Sequence, residues 1–575
     1  MGTSNLGVTD ASAMGDAEPG KRADHQTTAA AVAFGILLAG AFVSLVYFGR
    51  DQWFKGDDWH FLAGRDGGDL DDLLRPHSLV HWSTVPVLVF RALFRTFGLR
   101  TYLPYLMLLV ALHLTVAALL RVIMRRAGVT PWIATVAALV FALYGAGYAN
   151  ILWAFQIGFV ASLALGLTHL LLATHDGPVD RRDWLGLFAG LIGLMSSGLA
   201  VTMVIVVGLV TLVQRGWRVA ALHIAPLGAL YAVWWFGFAQ NDRVYERDRG
   251  NPNLWARFVA NGIAETFESL TRLPWLGVVL GVVLGVGLVL AWGPLGRRDR
   301  RRLATTPAAL FVGAIVFLLI SAFGRVAAGL GSLGLVVLGT GEGRASRYIH
   351  VVAALTLPAL AVAVDSVARR WRAVVPVMLV LVLVGVPGNI RLLADPRPAA
   401  FSEGFQRQYR RFVLSLPRVP VAREVPRSVE PDPKRTFTVT IGWLRDGVAS
   451  GRIPDPGEIT PLEQADATVR LALVQTARPK GGCQPVSSPR DVVRLDKGDS
   501  IIILSGLRLK KGEPLSPSQF ESLQAAIVYL ADDGTESRPL PVQLTSGPAM
   551  RAMAGPLRVR VEPGSDSQTV MLCDG

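Results

Sequence analysis

Between residues 28 and 393 the chain returns repeatedly to apolar runs of roughly twenty residues, the length that crosses a bilayer as a helix. Only 17% of the 575 residues are charged, against about a quarter in an ordinary soluble chain. The deficit lies within 28–393, while 394–575 reads as ordinary soluble sequence. These facts exclude a soluble enzyme, a disordered chain and a fibrous protein. They leave a polytopic α-helical membrane protein with a terminal globular domain.

The net charge of +14 needs the same partition. Five short loops carry Arg121, Arg125 and Arg126; Arg181 and Arg182; Arg215 and Arg218; Arg297, Arg298 and Arg300 to Arg302; and Arg369, Arg370 and Arg372. These bases face only Asp176, Asp180, Asp183 and Asp299. Such a bias marks loops kept on the cytoplasmic side, so the charge reports topology. A nucleic-acid partner would want a basic patch on a soluble surface, and the sequence offers none.

Residues 1–27 are small and polar and read as a disordered cytoplasmic segment. The first span, 28–48, has no cleavage site after it and reads as a retained signal anchor. Later spans are expected at 102–121, 131–149, 151–173, 217–238, 274–293, 307–325, 348–367 and 373–392. The run 184–213 is too long for one ordinary span and carries Ser196, Ser197 and Gly198 at its middle. Split in two, it keeps all five basic loops on one side. The expectation is then about eleven spans in a plasma (inner) membrane, N-terminus cytoplasmic and C-terminus extracytoplasmic. Residues 49–100 form a structured outer loop with interfacial helices at 69–74 and 79–97.

Residues 394–434 read as an amphipathic exit helix and linker. From 435 to 575, short alternating runs separated by Gly, Pro and Asp predict a β-sandwich-like domain. Its strands are expected at 436–443, 469–474, 500–504, 526–530, 557–561 and 569–572. Cys483 and Cys573, the only cysteines, both lie in this exported domain, where a disulfide or two free thiols are the alternatives.

Three groups of residues could carry chemistry. Asp57 and Asp58 come nine residues after the first span, among Trp53, Phe54, Trp59 and Phe61. Aromatics of this kind hold a segment at the membrane–water boundary. Paired carboxylates there can take a proton from a hydroxyl or hold a divalent cation, with Asp58 the candidate metal ligand, or they form a solvated turn. His77 and His81, four apart, would share one face of a helix, as metal ligands or as histidines satisfied by backbone. Near the span at 348, Glu342, Arg344, Arg347, Tyr348 and His350 cluster. Arginine suits a phosphate group, and Arg with Tyr equally suits interfacial anchoring. Glu265 and Glu268, in the 239–273 loop, read as one face of a solvated helix. No P-loop and no zinc signature is present in the sequence.

A signal anchor, an early acidic pair in a structured outer loop, many spans and an exported β-domain together resemble the GT-C superfamily. GDDWHF, then HWSTVPVLVFRALFRTFGLRTYLPYLMLLVALHL, then SRYIHVVAALTLPALA are similar to bacterial membrane proteins of that type over residues 28–393. In those proteins Asn-Glu-His-Trp is expected where this chain has Leu79-Val80-His81-Trp82, one carboxylate fewer. The resemblance implies an inverting glycosyltransferase of the bacterial cell envelope, using a polyprenyl-phosphate-linked sugar and a glycan, lipid or protein acceptor. It implies Asp57 or Asp58 as base, with Arg344, Arg347 and Tyr348 on the donor phosphate. His60, His77, His81, Trp82 and Glu342 would face the acceptor or support the site. A divalent cation, Mg or Mn, could assist without being required. A lipid-linked glycan ligase, a flippase or other transporter, and a non-catalytic glycan-binding scaffold are the alternatives.

Overall fold

The computed structural model describes residues 19–574 except 78–80, 240–251, 326–342, 506–523, 545–548, 566–567 and positions 397, 437, 478, 480, 481, 487, 489 and 490. The chain enters through α1 (Pro19–Phe48). The loop that follows folds into α2 (Asp58–Leu62), α3 (Leu70–Leu74) and α4 (Thr84–Phe97). The helix expected over 79–97 thus begins at Thr84. The bundle continues through α5 (Leu103–Arg126), α6 (Pro131–Ala142), the single turn α7 (Ala149–Leu152) and α8 (Ile157–Ala173). Next come α9 (Arg181–Leu194), α10 (Leu199–Arg215), α11 (Trp217–Trp234), α12 (Pro252–Thr271) and α13 (Pro274–Trp292). It closes with α14 (Thr305–Arg325), α15 (Ser346–Arg370), α16 (Val375–Leu383) and α17 (Val386–Ala394).

Among the described residues eight helices are long and apolar enough to cross a membrane, and two shorter apolar helices lie over 131–147 and 199–215. α15 is buried along most of its length and forms the axis of the bundle. The long run at 184–213 is divided at Met195–Gly198, as expected. α9 can restart because Asp180 and Asp183 form a capping box around its first turn. The division gathers the basic loops at one end of the bundle. Arg126 donates to the Leu171 carbonyl, Arg215 to that of Ala173, and Arg369 to that of Gly128. Gln214 donates to the Arg301 carbonyl, and Arg302 lies 3.9 Å from Asp176.

The opposite end differs from the sequence reading in two ways. Trp53, Phe54, Trp59 and Phe61 do not sit at a lipid boundary; all four are buried. Phe54 packs edge-on to Tyr102 and Tyr105, and Trp53 to Trp59 and Tyr409. Burying each large ring stabilises the loop by about 1.5–3 kcal/mol and fixes it to α5 and to Tyr409. α12 is not a solvated helix either. It buries Phe258, Gly262, Thr266, Phe267 and Leu270, with Phe258 against Tyr348 at the start of α15.

After α17, α18 (Glu403–Ser415) leaves the membrane part. Residues 436–443 and most of 469–474 were expected to be strands. Ile441 to Trp443 fall instead in α19 (Ile441–Ala449) and Val469 to Ala472 in α20 (Pro461–Ala472). The Thr440 and Thr460 hydroxyls cap these helices, and Glu463 completes a capping box on the second. With α18, they bind the loop at 49–100. Trp53 N–H donates to Gln406 at 3.0 Å and Leu99 N–H to the Arg452 carbonyl at 2.8 Å; Trp443 stacks on Phe94. Gly98 makes this docking possible: at φ +59°, its missing Cβ would lie 2.0 Å from the Arg452 oxygen.

Among the described residues the β-domain has nine strands in two antiparallel sheets. They are β1 (Leu473–Thr476), β2 (Cys483–Pro485), β3 (Val492–Leu495), β4 (Ser500–Ser505) and β5 (Gln524–Tyr529), then β6 (Leu540–Gln543), β7 (Ala549–Ala552), β8 (Leu557–Pro563) and β9 (Gln568–Cys573). One sheet runs β1-β7-β4-β9-β2 and the other β3-β8-β5-β6. Ile501, Ile503 and Val570 of the first share a core with Ile527, Val559 and Val561 of the second, as in a sandwich. Cys483 and Cys573 face each other across β2 and β9 and are bonded.

Candidate functional site

The turn before α2 places the two acids differently. Gly56, at φ +53°, lets the backbone reverse beside the Trp153 ring. Asp58 then points inward and is fully buried. Its Oδ2 accepts from the Lys55 N–H at 3.0 Å, Trp153 Nε1 at 3.2 Å and the Tyr102 hydroxyl at 3.3 Å. Its Oδ1 is enclosed with no partner among the described residues. Burial pushes the Asp58 carboxyl up and the neighbouring Lys55 ammonium down. Lys55 Nζ rests 3.8 Å from the Phe401 ring centroid and donates to Gln52 at 2.5 Å. Asp58 is therefore committed to holding the turn.

Asp57 is half-buried at the N-cap of α2 and makes no capping bond. Burial raises its pKa, and the Arg347 and then the Arg325 guanidinium pull it back down. These arginines come from different helices, Arg325 closing α14 and Arg347 opening α15. Both also act on the Tyr348 hydroxyl, and Arg347 Cζ lies 5.3 Å from that ring. A carboxylate from the first loop thus lies in the field of two arginines, one from α14 and one from α15.

The charges of this group also act on His77 and His81, which do not lie on a helix. His77 and His81 pair as an antiparallel bridge, His77 N–H donating to the His81 carbonyl at 2.9 Å. His81 Nδ1 accepts from the Gly198 N–H at 3.1 Å, which leaves the ring proton on Nε2. Burial, then Arg325 and Arg347, push His81 down to about 3, so it stays a neutral donor. Buried His77 is lowered mainly by burial and packs on His60 and Phe155. His60 Nε2 accepts from Arg65 Nε at 3.2 Å, and burial lowers it to about 3. Half-exposed Tyr148, Trp153, Phe155 and Phe159 line the same region.

Other expected site residues lie elsewhere. Arg344 is exposed and reaches α12, with its Nη2 3.5 Å from Asn261 Oδ1 and its charge acting on Glu265. Burial is the main cause of the raised Glu265 pKa. Trp82 stacks on Trp234 at 5.4 Å, its indole N–H spent on Thr84. Glu342, Leu79 and Val80 lie outside the described residues.

A metal fits poorly at Asp58, whose Oδ2 is filled by three donors. A cation on Asp57 alone would be repelled by Arg325 and Arg347. Among the described residues, His175, Asp180 and Asp183 form the one group spaced for a metal, near the basic loops. Asp183 there accepts from Arg215 at 2.5 Å, from His175 and His223 at 3.0 Å each, and from the Asp180 N–H at 2.9 Å. Arg215 already supplies the positive charge, and the carboxylate has no free lone pair for an ion.

Sequence reasoning missed Arg325, Tyr102 and Trp153. Arg325 carried a signal: it ends a span on the side where the charge bias disfavours arginine. Tyr102 and Trp153 carried none, because aromatics at span ends are common. No family model matches the chain, and no curated protein or solved structure does either.

Proposed function

We propose that the chain is an integral-membrane glycosyltransferase that moves a sugar from a polyprenyl-phosphate donor to an extracytoplasmic acceptor with inversion. The observation that carries this reading is that Asp57, at the end of the bundle opposite the basic loops, lies within the electrostatic reach of Arg347 and Arg325. In the eleven-span orientation that end faces away from the cytoplasm, and the phosphate of a membrane-anchored donor lies at that depth. The acceptor hydroxyl attacks the anomeric carbon, and the bond from that carbon to the phosphate oxygen breaks. The hydroxyl proton passes to Asp57, and the electron pair leaves with the lipid monophosphate. Arg325 and Arg347 stabilise the charge on the departing oxygen. His81, neutral and protonated on Nε2, donates a hydrogen bond at no cost in charge. The half-exposed aromatics at 148–159 suit both a sugar face and the first isoprene units.

Reconstitution in nanodiscs with a panel of polyprenyl-phosphate sugars tests this. Release of polyprenyl phosphate with sugar transfer is expected from the wild type and not from Asp57→Asn. Equal release from both would overturn the assignment.

A further inference from the structure

The mechanism leaves a buried polar chain unused. Asn150 on α7, His350 on α15 and His113 on α5 are all fully buried. His113 Nε2 lies 3.1 Å from the Ala142 carbonyl oxygen, which only accepts, so that nitrogen carries the proton. His113 Nδ1 is then an acceptor, and His350 Nε2, 3.1 Å away, must donate to it. His350 Nδ1 is left as an acceptor and takes an amide proton from Asn150 Nδ2 at 3.1 Å. The second amide proton goes to the carbonyl of Arg347 at 3.1 Å. Every proton has one position. A flipped amide would set Asn150 Oδ1 against a carbonyl and a lone pair, so the side chain has one orientation. Packing closes round the chain, since a Cβ on Gly147 would lie 2.7 Å from His350 Cδ2.

What this chain holds matters more than the chain itself. Ala149 N–H donates to Ser346 Oγ at 3.1 Å, so α7 grips the first turn of α15 twice, at Ser346 and at Arg347. A few residues on, the same segment grips the acidic turn. Trp153 Nε1 donates to Asp58, and Ala154 N–H donates at 2.7 Å to the Tyr102 hydroxyl, which itself donates to Asp58. Residues 149–154 therefore form a short bracket between the carboxylates and the arginine. Helix ends slide readily, whereas a side chain with both amide protons committed does not.

We propose that Asn150, backed by His350 and His113, is a positioning residue that sets the spacing between the Asp57–Asp58 turn and Arg347. The proposed consequence for rate rests on the glycosyl-transfer reading, but the spacing itself does not.

The test uses the full chain in nanodiscs and two readouts. The first is carbodiimide labelling of Asp57, read by peptide mass spectrometry across mildly acidic to neutral pH, since only the protonated carboxyl reacts. Arg347 holds the Asp57 pKa down, so its displacement increases labelling. Arg347→Ala, the reference, is expected to label more than the wild type. Asn150→Ala is expected to follow it. His350→Leu, which keeps bulk without an acceptor, is also expected to follow. His350→Asn, whose Oδ1 replaces the accepting nitrogen, is expected to stay near the wild type. The double variant Asn150→Ala/Arg347→Ala should label no more than Arg347→Ala alone. The second readout is transfer, where a misplacement near 1 Å costs kcat about 100-fold with KM changed less.

Wild-type labelling in Asn150→Ala beside increased labelling in Arg347→Ala would overturn the proposal. Equal labelling of the His350→Leu and His350→Asn variants would do the same, and this comparison stands if Asn150→Ala does not fold. Unchanged labelling in Arg347→Ala would also overturn it, by removing the link between the two groups. A wild type that labels as expected but transfers no sugar would refute the glycosyl-transfer reading and leave the positioning role in place.

Discussion

Asp57 and Asp58 are neighbours in sequence, yet asparagine should affect them very differently. At Asp57 the substitution removes the proposed proton acceptor beside two arginines, at a half-buried position with no capping bond to lose. General-base removal lowers rates by about 10²–10⁴-fold, which is about 3–5 kcal/mol on the barrier. At Asp58 the amide oxygen can replace Oδ2 and keep all three donors, while the amide nitrogen takes the place of the unpartnered Oδ1. Hydrogen bonds to a charged acceptor weaken to neutral ones by about 1 kcal/mol each. Removing the buried charge spares its desolvation, and the neighbouring Lys55 ammonium, already pushed down by burial, can shed its proton rather than remain as an uncompensated buried charge. Asp58→Asn should therefore fold like the wild type and keep transfer within about tenfold, far less than general-base removal costs. The assay is the initial rate of transfer at saturating donor in nanodiscs, with thermal melting and size-exclusion profiles of each variant. A folded Asp58→Asn protein that has lost transfer, beside an active Asp57→Asn protein, would refute this division of roles.

Because the Asp57 pKa is raised and a base must be deprotonated, kcat/KM should rise with pH through an acid limb above the ordinary aspartate value near 3.9. Arg347→Ala should move that limb to higher pH, and a profile flat through the acidic range would contradict the assignment. With positive charge supplied by arginine, chelation by EDTA should leave the transfer rate unchanged; loss of activity restored by Mg or Mn would place a cation in the site. Gly98→Ala forces a side chain into positive φ and into the Arg452 carbonyl, so it should cost at least 1–2 kcal/mol. It should also expose residues 441–472 to limited proteolysis, and wild-type resistance would show that this docking is dispensable. Single cysteines at Gly67 and Asp533 should react with an impermeant thiol reagent applied from outside, and one at Asp299 should not; the reverse pattern would invert the topology.

The membrane part was legible in the sequence because apolar length and arginine bias are strong signals over twenty residues. The same signals placed the break at Ser196–Gly198, which turns out to hold His81 in one tautomer. The acidic pair and Arg347 were legible as candidates, but their separate roles were not. Whether an acid faces solvent or the interior depends on one glycine turn, set by tertiary contact with Trp153. Asn150 falls between the spans expected at 131–149 and 151–173, and only the fold reveals what it holds. At 436–443 and 469–474, alternating apolar residues suggest strands. The caps at Thr440 and Thr460, with Glu463 three residues after Thr460, were the better signal and predicted helices. Arg344 and Arg347 looked alike in sequence, and the direction of the first turn of α15 separated them.

The most direct measurement is a cryo-EM structure in nanodiscs with polyprenyl phosphate, the proposed product, at saturating concentration. The account predicts phosphate density between Arg325 and Arg347, with the Asp57 carboxylate facing the position the sugar would leave. Phosphate bound among the basic loops at the other end of the bundle, or an unliganded Arg325–Arg347 pair at saturation, would contradict it.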